Sequence, residues 1–329
     1  MNALWNLYDV QPTTLSHYYI DITSDFAKDK PINWWEWQFV DIAEKWWINS
    51  DNIGSVMCLD EKNIQKWEVF TILSNPEKDW IWAVIPWTKW SEISKKLMLE
   101  IPDIIREKVL EIVTDMSPSM ESIVKIAFPN AILTTDRFHV MKMILDDLNA
   151  IRMRIKTLLK KKEGDTIKQA KLEKKKYVFE RYSNGETEVE IVTRLKRQMC
   201  RRMTDRSNNQ KQRWLIVQGI NEFQELVTGY KFVCKLRDVY DNQINKEQAE
   251  IALNLWIKEW QKHVDTITEI DNMITSVENR LDSITNYFVR RTTNWYAEGL
   301  NSRIQRLITL TKWFKNMNYT IYRITKLFW

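Results

Sequence analysis

The chain has 329 residues, 44% hydrophobic and 28% charged, with a formal net charge of +5, an ordinary balance for a folded protein with room for two or three structural units. No run approaches the roughly 18 uninterrupted apolar residues of a membrane span, and Met1-Asn2-Ala3-Leu4 opens no recognisable secretory leader, so a cytoplasmic location is expected. Cysteines stand only at 58, 200 and 234, too few and too scattered for a disulfide framework or for paired Cys-x-x-Cys zinc ligands.

The first segment, Leu4 to Ile20, reads as the second half of a helix-turn-helix. Pro12 suits a first helical turn, and Thr13, Ser16 and His17 would lie along one exposed face able to meet base edges in a major groove. Most of a first half would have to precede Met1, so the motif is partial. Residues 25–51 have little periodicity and are expected to link to the core, giving a first region over 1–50.

From Gly54 the pattern changes. Ser55 to Leu59, Trp67 to Leu73 and Ile81 to Ile85 are three β-rich runs at close spacing, which predicts an antiparallel meander. A helix is expected over Ser91 to Leu99, then a buried strand over Lys108 to Val113, a helix over Met120 to Ala127, and a strand over Ala131 to Thr134. Asp60, Asp115 and Asp136 each stand where one of these strands is expected to end. A long helix is predicted from His139 through Arg154.

The next part is basic and helical. Residues 151–176 hold 11 Lys and Arg against 3 Asp and Glu, and residues 194–213 hold 8 against 1. Two local blocks hidden under a small net charge are either solvated helix faces or phosphate-contacting surface, with Arg152, Lys196, Arg197, Arg201 and Arg202 as the DNA-binding candidates. Helical periodicity continues through 215–285. A final helix comes after Asn294, with Leu300, Ile304, Leu307 and Ile308 on the side that should pack and Arg303 and Arg306 on a side free to meet DNA phosphate.

Tryptophan and glycine are out of proportion, with 17 Trp and 6 Gly, where an average glycine usage of about 7% would give roughly 23 glycines. Replacing Trp34, Trp80, Trp87 and Trp295 with glycine would turn Asn33, Asp79, Pro86 and Asn294 into the first halves of strong turn dipeptides. The pattern is what a gene would yield if its UGA codons specify glycine but are read as tryptophan. The alternative is that these residues are core anchors or base-stacking platforms, Trp256 being the strongest core candidate. A real ring at Trp295 would stand three residues from Glu298.

Leu59-Asp60-Glu61, Val113-Thr114-Asp115-Met116 and Tyr296-Ala297-Glu298-Gly299-Leu300-Asn301 carry carboxylates that could converge beside one helix. Such oxygen donors suit magnesium, and two such ions can clamp the attacking and leaving oxygens of a phosphodiester. Together with the stretch Phe128-Pro129-Asn130-Ala131 through Thr135-Asp136-Arg137-Phe138-His139-Val140 and the run Asn294 to Ile304, they resemble the transposases of the ISL3 family of insertion sequences. The resemblance runs from about Gly54 to the C-terminus. Relatives commonly begin with a zinc-binding segment that this sequence lacks, so it implies an N-terminally shortened member.

The resemblance implies an α/β, ribonuclease-H-like mixed sheet with helices, interrupted by a long all-helical insertion. Its expected divisions are a catalytic core over 51–150, a basic insertion over 151–285 and the core's C-terminal helix over 286–329. It assigns Asp60, Asp115 and Glu298 as the catalytic, metal-holding triad, with Asp136, His139 and Asn301 as auxiliary residues. Two Mg2+ ions, or Mn2+, are the implied cofactors. The partners are the element's terminal inverted repeats and target DNA, bound by a homo-oligomer. The implied activity is cleavage at the element ends and strand transfer by the freed 3′ hydroxyl. Two alternatives stay open: a DNA-binding remnant without catalysis, and a nuclease of the same fold acting on RNA or junctions.

Overall fold

The computed structural model describes residues 47–65, 68–78, 80–86, 89–263, 266–310 and 317–328. The chain divides into two compact units, Met1–Asp136 with Thr292–Trp329, and Arg137–Arg291. The partial helix-turn-helix, with Thr13, Ser16 and His17, lies outside the described residues.

The first unit is built on a six-stranded sheet. In chain order its strands are β1 (Trp47–Ile48), β2 (Val56–Gln65), β3 (Glu68–Asn75), β4 (Trp80–Pro86), β5 (Glu111–Thr114) and β6 (Ile132–Thr135). Their spatial order is β1-β4-β3-β2-β5-β6. Strands β2, β3 and β4 form the expected antiparallel meander, while β5 lies parallel to β2 and β6 parallel to β5. This is the ribonuclease-H-like order.

Alternation along the strands sorts residues onto two faces. Met57, Leu59, Leu73, Ala83 and Ile112 pack in one cluster with Ile93 and Leu97 of α1 (Trp90–Glu100) and Met120, Ile123 and Val124 of α3 (Pro118–Ala127). Between these helices, α2 (Asp103–Arg106) supplies a buried Arg106 that donates to the carbonyls of Ile101 and Ala127. On the opposite face, Phe70, Ile72, Ile81 and Val84 meet Tyr296, Leu300, Ile304 and Ile308 of α11 (Trp295–Leu310), with Ile321 and Ile324 of α12 (Met317–Phe328). The apolar spacing read in the last helix is therefore the spacing that covers the sheet.

Two details bear on the sequence reading. Pairing between β3 and β4 steps from Leu73↔Ala83 to Ser74↔Ile81, so Trp82 is the extra residue of a β-bulge. Its ring lies in the first core cluster, edge-on to Phe128. Gly54 is required by closeness: a Cβ there would come within 2.6 Å of the Asn75 amide nitrogen, which itself donates to the Asn52 carbonyl.

The second unit is helical. It begins with α4 (Arg137–Leu172), longer than the stretch predicted from His139 through Arg154, and continues through α5 (Glu188–Met199), α6 (Asn208–Gly219), α7 (Gln224–Asn242), α8 (Lys246–Gln261), α9 (Thr268–Glu278) and α10 (Leu281–Arg290). Helix α4 packs on α5, α7 and α9, and α8 packs on α7, α9 and α10. A full capping box, Thr187 with Glu190, starts α5. Arg291, in the left-handed region at φ 56°, ends α10. An expected boundary at 150/151 falls inside α4, whereas the units divide after Asp136 and before Thr292.

The tryptophans divide as well. Trp82, Trp214, Trp256 and Trp260 are buried, while Trp80 and Trp90 are exposed. Trp256 stacks on Phe232, with ring centroids 3.9 Å apart, and its indole N–H donates to the Phe232 carbonyl. At position 295 the expected turn dipeptide is instead the entry of a helix: Trp295 is the first residue of α11.

Candidate active site

The last parallel pairs of the sheet are Leu59↔Thr114 between β2 and β5, and Thr114↔Thr135 between β5 and β6. The next residue on each of the three chains is an aspartate: Asp60, Asp115 and Asp136. Neighbouring strands lie about 4.8 Å apart, so the register sets three acids at one level of the sheet. The sequence expectation is corrected in one respect, because Asp60 does not end its strand. Strand β2 runs on to Gln65 in its hairpin with β3, and it is the parallel ladder that stops at Leu59.

One row back are Cys58, Val113 and Thr134, all buried. Cys58 and Val113 pack with Ala297 in the first turn of α11. Since residues two apart on a strand share a face, this contact puts Asp60 on the side of the sheet covered by α11. Asn301, one turn further along that helix, donates its amide to Asp60 Oδ2 at 2.6 Å, while the Glu61 backbone N–H donates to Oδ1 at 2.8 Å. Glu298 lies three residues before Asn301, on the same helical stripe, and is half-buried.

Asp136 is buried and accepts the backbone N–H of Asn294 at 3.1 Å. The carbonyl of Asn294 in turn accepts the N–H of Glu298 at 3.0 Å. Asp115 is oriented differently: its Oδ1 accepts the N–H of Ser117 at 2.8 Å, at the entrance to α3. Among the described residues no three His, Cys, Asp or Glu side chains form a ready-made metal-ligand group. The donors are nevertheless of the type a hard divalent cation takes, namely carboxylate oxygens.

The electrostatics agree. The Cys58 thiol is pushed well above its ordinary range, first by burial and then by the negative charges of Asp136, Asp60 and Glu111. Four acid-bearing or acid-sensing side chains thus crowd one small region of the sheet.

Other expected residues fall in different settings. His139 is in the first turn of α4, half-buried with its ring edge-on to Phe138. Arg152 is buried, its guanidinium donating to the Val192 carbonyl and to Asn149, so it tethers α4 to α5. Arg202 is engaged by Asp238 and Asp241. Lys196, Arg197 and Arg201 are exposed. Arg303 and Arg306 are exposed on α11, Arg303 lying against the rings of Tyr296 and Phe328.

Glu111, Thr292 and Asn294 were not anticipated. Glu111 is buried at the start of β5 and accepts the hydroxyls of Thr134 at 2.8 Å and Thr292 at 3.1 Å. A lone acid inside the apolar run Val109 to Val113 was its only signal. Asn294 stands at the N-cap position of α11, a place where asparagine is favoured, yet both polar atoms of its buried side chain lack a partner among the described residues.

A ribonuclease-H-like sheet whose parallel ladder runs out into aspartates, covered by a helix with a glutamate in its first turn, is an arrangement shared by nucleases and DNA-transposing enzymes of that fold. A family model for ISL3-type DDE transposases, described as Transposase, matches residues 57–324. The chain belongs to that family. No curated protein and no solved structure matches it.

Proposed function

We propose that this transposase cleaves DNA at the ends of an insertion sequence in a reaction dependent on divalent metal and joins the freed 3′ hydroxyl to target DNA. The observation that carries this reading is the Asn301–Asp60 hydrogen bond, which ties the helix bearing Glu298 to the strand bearing the first acid. Asp60, Asp115 and Glu298 would hold the metal, Mg2+ or Mn2+, most simply as a pair of ions. Bound there, the ions supply activation of the attacking oxygen and stabilisation of the leaving oxygen in an in-line displacement.

The chain's own side chains orient this chemistry. Asn301 and the Glu61 N–H fix both oxygens of Asp60, so that its carboxylate is already turned when substrate arrives. Asp136 acts as an anchor for α11 through Asn294. For DNA, the exposed Lys196, Arg197, Arg201, Arg303 and Arg306 supply phosphate contacts, and the N-terminal segment with Thr13, Ser16 and His17 supplies base contacts. The active form is a homo-oligomer on element ends, acting in the cytoplasm. The sheet unit is catalytic and the helical unit is the DNA-holding insertion.

A second reading, a DNA-binding remnant without catalysis, is favoured by Asp115, whose carboxylate is turned toward Ser117. One experiment separates the two. A linear duplex carrying the DNA that flanks the gene is incubated with the protein in Mg2+ and resolved on a denaturing gel. Cleavage that disappears in Asp60→Ala and Glu298→Ala, with retention of the duplex in a binding gel, supports the enzyme. Binding without cleavage by the parent protein supports the remnant, and cleavage that survives both substitutions sinks the assignment.

A further inference from the structure

Where the chain returns from the helical unit, residues 292–294 lead directly into α11, and two buried carboxylates of the sheet hold them. Glu111 Oε2 accepts the hydroxyl of Thr292 and its Oε1 the hydroxyl of Thr134. Two residues on, Asp136 Oδ1 accepts the N–H of Asn294, and the Asn294 carbonyl accepts the N–H of Glu298. A continuous set of hydrogen bonds therefore runs from β5 and β6, through three residues of backbone, to the amide of Glu298.

This arrangement is costly. Burying a carboxylate needs strong compensation, and among the described residues neither polar atom of the buried Asn294 side-chain amide has a partner. An apolar contact would attach a helix to a sheet at lower cost. A hydrogen-bonded clasp differs in that it fixes the helix along its axis: a slip of one residue would break both carboxylate contacts, whereas the apolar stripe of α11 tolerates small axial shifts.

We propose that Glu111 and Thr292 are positioning residues, forming with Asp136 and Asn294 a clasp that sets the axial register of α11 and so the height of Glu298 and Asn301 over Asp60. The inference rests on Glu298 being catalytic, the reading given under the proposed function. Neither Glu111 nor Thr292 reaches a reacting atom; each acts through the helix start.

The test compares the parent with Thr292→Val, which removes the hydroxyl at constant shape, Thr292→Ser, which keeps it, and Asp60→Ala. Backbone hydrogen exchange is followed in peptides covering 296–301, and single-turnover cleavage of the flanking-DNA duplex is followed in Mg2+. In Thr292→Val, exchange in the first turn of α11 rises about tenfold. The cleavage rate constant falls roughly tenfold to a hundredfold, with the half-saturating DNA concentration within about twofold of the parent. Thr292→Ser restores both. Unchanged exchange or an unchanged rate constant in Thr292→Val overturns the clasp, as does a serine variant as impaired as the valine one. Should Thr292→Val not fold, Thr292→Ala removes the same hydroxyl without requiring the second methyl to fit and is read in the same way. Persistent cleavage by Asp60→Ala instead overturns the reading of the site, and the exchange measurement then decides the clasp by itself.

Discussion

The helical unit and the acid cluster around Cys58 show different contacts to their carboxylates. In the helical unit the acids meet arginines: Glu186 binds Arg194 and Arg213, Asp241 binds Arg137 and Arg202, and Glu269 binds Arg154. Around Cys58 in the sheet unit, Asp60, Glu111 and Asp136 accept hydrogen bonds from threonine hydroxyls, backbone N–H groups and an asparagine amide. Arginine neutralises a carboxylate as well as solvating it. A neutral donor solvates a carboxylate without cancelling its charge, and the Cys58 thiol beside these acids is raised first by burial and then by Asp136, Asp60 and Glu111. The first arrangement builds a scaffold, and the second is what the proposed metal site would need.

The contrast can be broken most forcefully at Glu186. Its side chain is 7% exposed, and Arg213 lowers its pKa most, with Arg194 contributing further. Arg213→Ala is expected to destabilise the protein by about 3 kcal/mol in urea unfolding at pH 7, the lower end of the range for breaking a buried pair because Arg194 remains. The folded pKa lies below the unfolded value of about 4.3, so the pair's stabilisation is present above that pH and is lost as pH falls further. Parent and variant should therefore converge in acid. Equal stability at pH 7 would mean that this pair is no scaffold.

In the sheet unit the corresponding change acts on a hydrogen bond to a charged acceptor. Asp60→Asn keeps an oxygen for the Glu61 N–H but sets an amide donor against the Asn301 amide, so thermal unfolding without metal should show a loss of about 1–2 kcal/mol. Unchanged stability would mean that the Asn301 contact contributes nothing.

The smallest effect sharpens the comparison within the helical unit. Asp147 is an exception to arginine pairing there: burial, then Asp146 and Glu269, raise its pKa to about 6. A carboxylic acid raised on folding stabilises most below its unfolded value of about 3.9, and that contribution is lost as pH rises through the folded value. Asp147→Asn should then gain up to about 1 kcal/mol at pH 8 and little at pH 4, after allowance for solvent screening. A pH-independent effect would assign the change to packing.

Much of the sheet unit was legible in the chain. Period-two runs and the short spacing between them were enough to place the strands along the chain and to predict the meander, because alternation on a half-buried sheet is a local property; the mixed sheet as a whole came with the family resemblance. The helix stripe Leu300, Ile304, Leu307 and Ile308 was legible for the same reason at period 3.6. The limits of β2 were not, since a strand continues wherever a partner continues, and β3 partners it beyond Asp60. The burial of Arg152 was not legible either, because a basic block has the same composition whether a given arginine faces solvent or a neighbouring helix. In α8, Ile251 and Leu255 are exposed while Leu253, Trp256 and Ile257 are buried, a division that composition could not make.

The tryptophans teach the same lesson. Turn-like dipeptides suggested misread glycine, but Trp82, Trp214, Trp256 and Trp260 fill the core, and a glycine at Trp82 would remove a buried ring at a cost of about 3–5 kcal/mol. Their codons should be UGG, with UGA concentrated at exposed positions such as Trp80 and Trp90. Sequencing that finds UGA at the four buried sites would reverse this division.

By itself the sequence determined the identity of the acids, the family and the periodicities that build a sheet unit and a helical insertion, since these depend on residue type and short spacing. Only the tertiary structure decided that Asp60 lies within a strand, that Arg152 is internal, and that Glu111 and Thr292, 181 residues apart, meet. Partners so distant along the chain are brought together by the return of the insertion to the sheet, and no local pattern records where that return will fall.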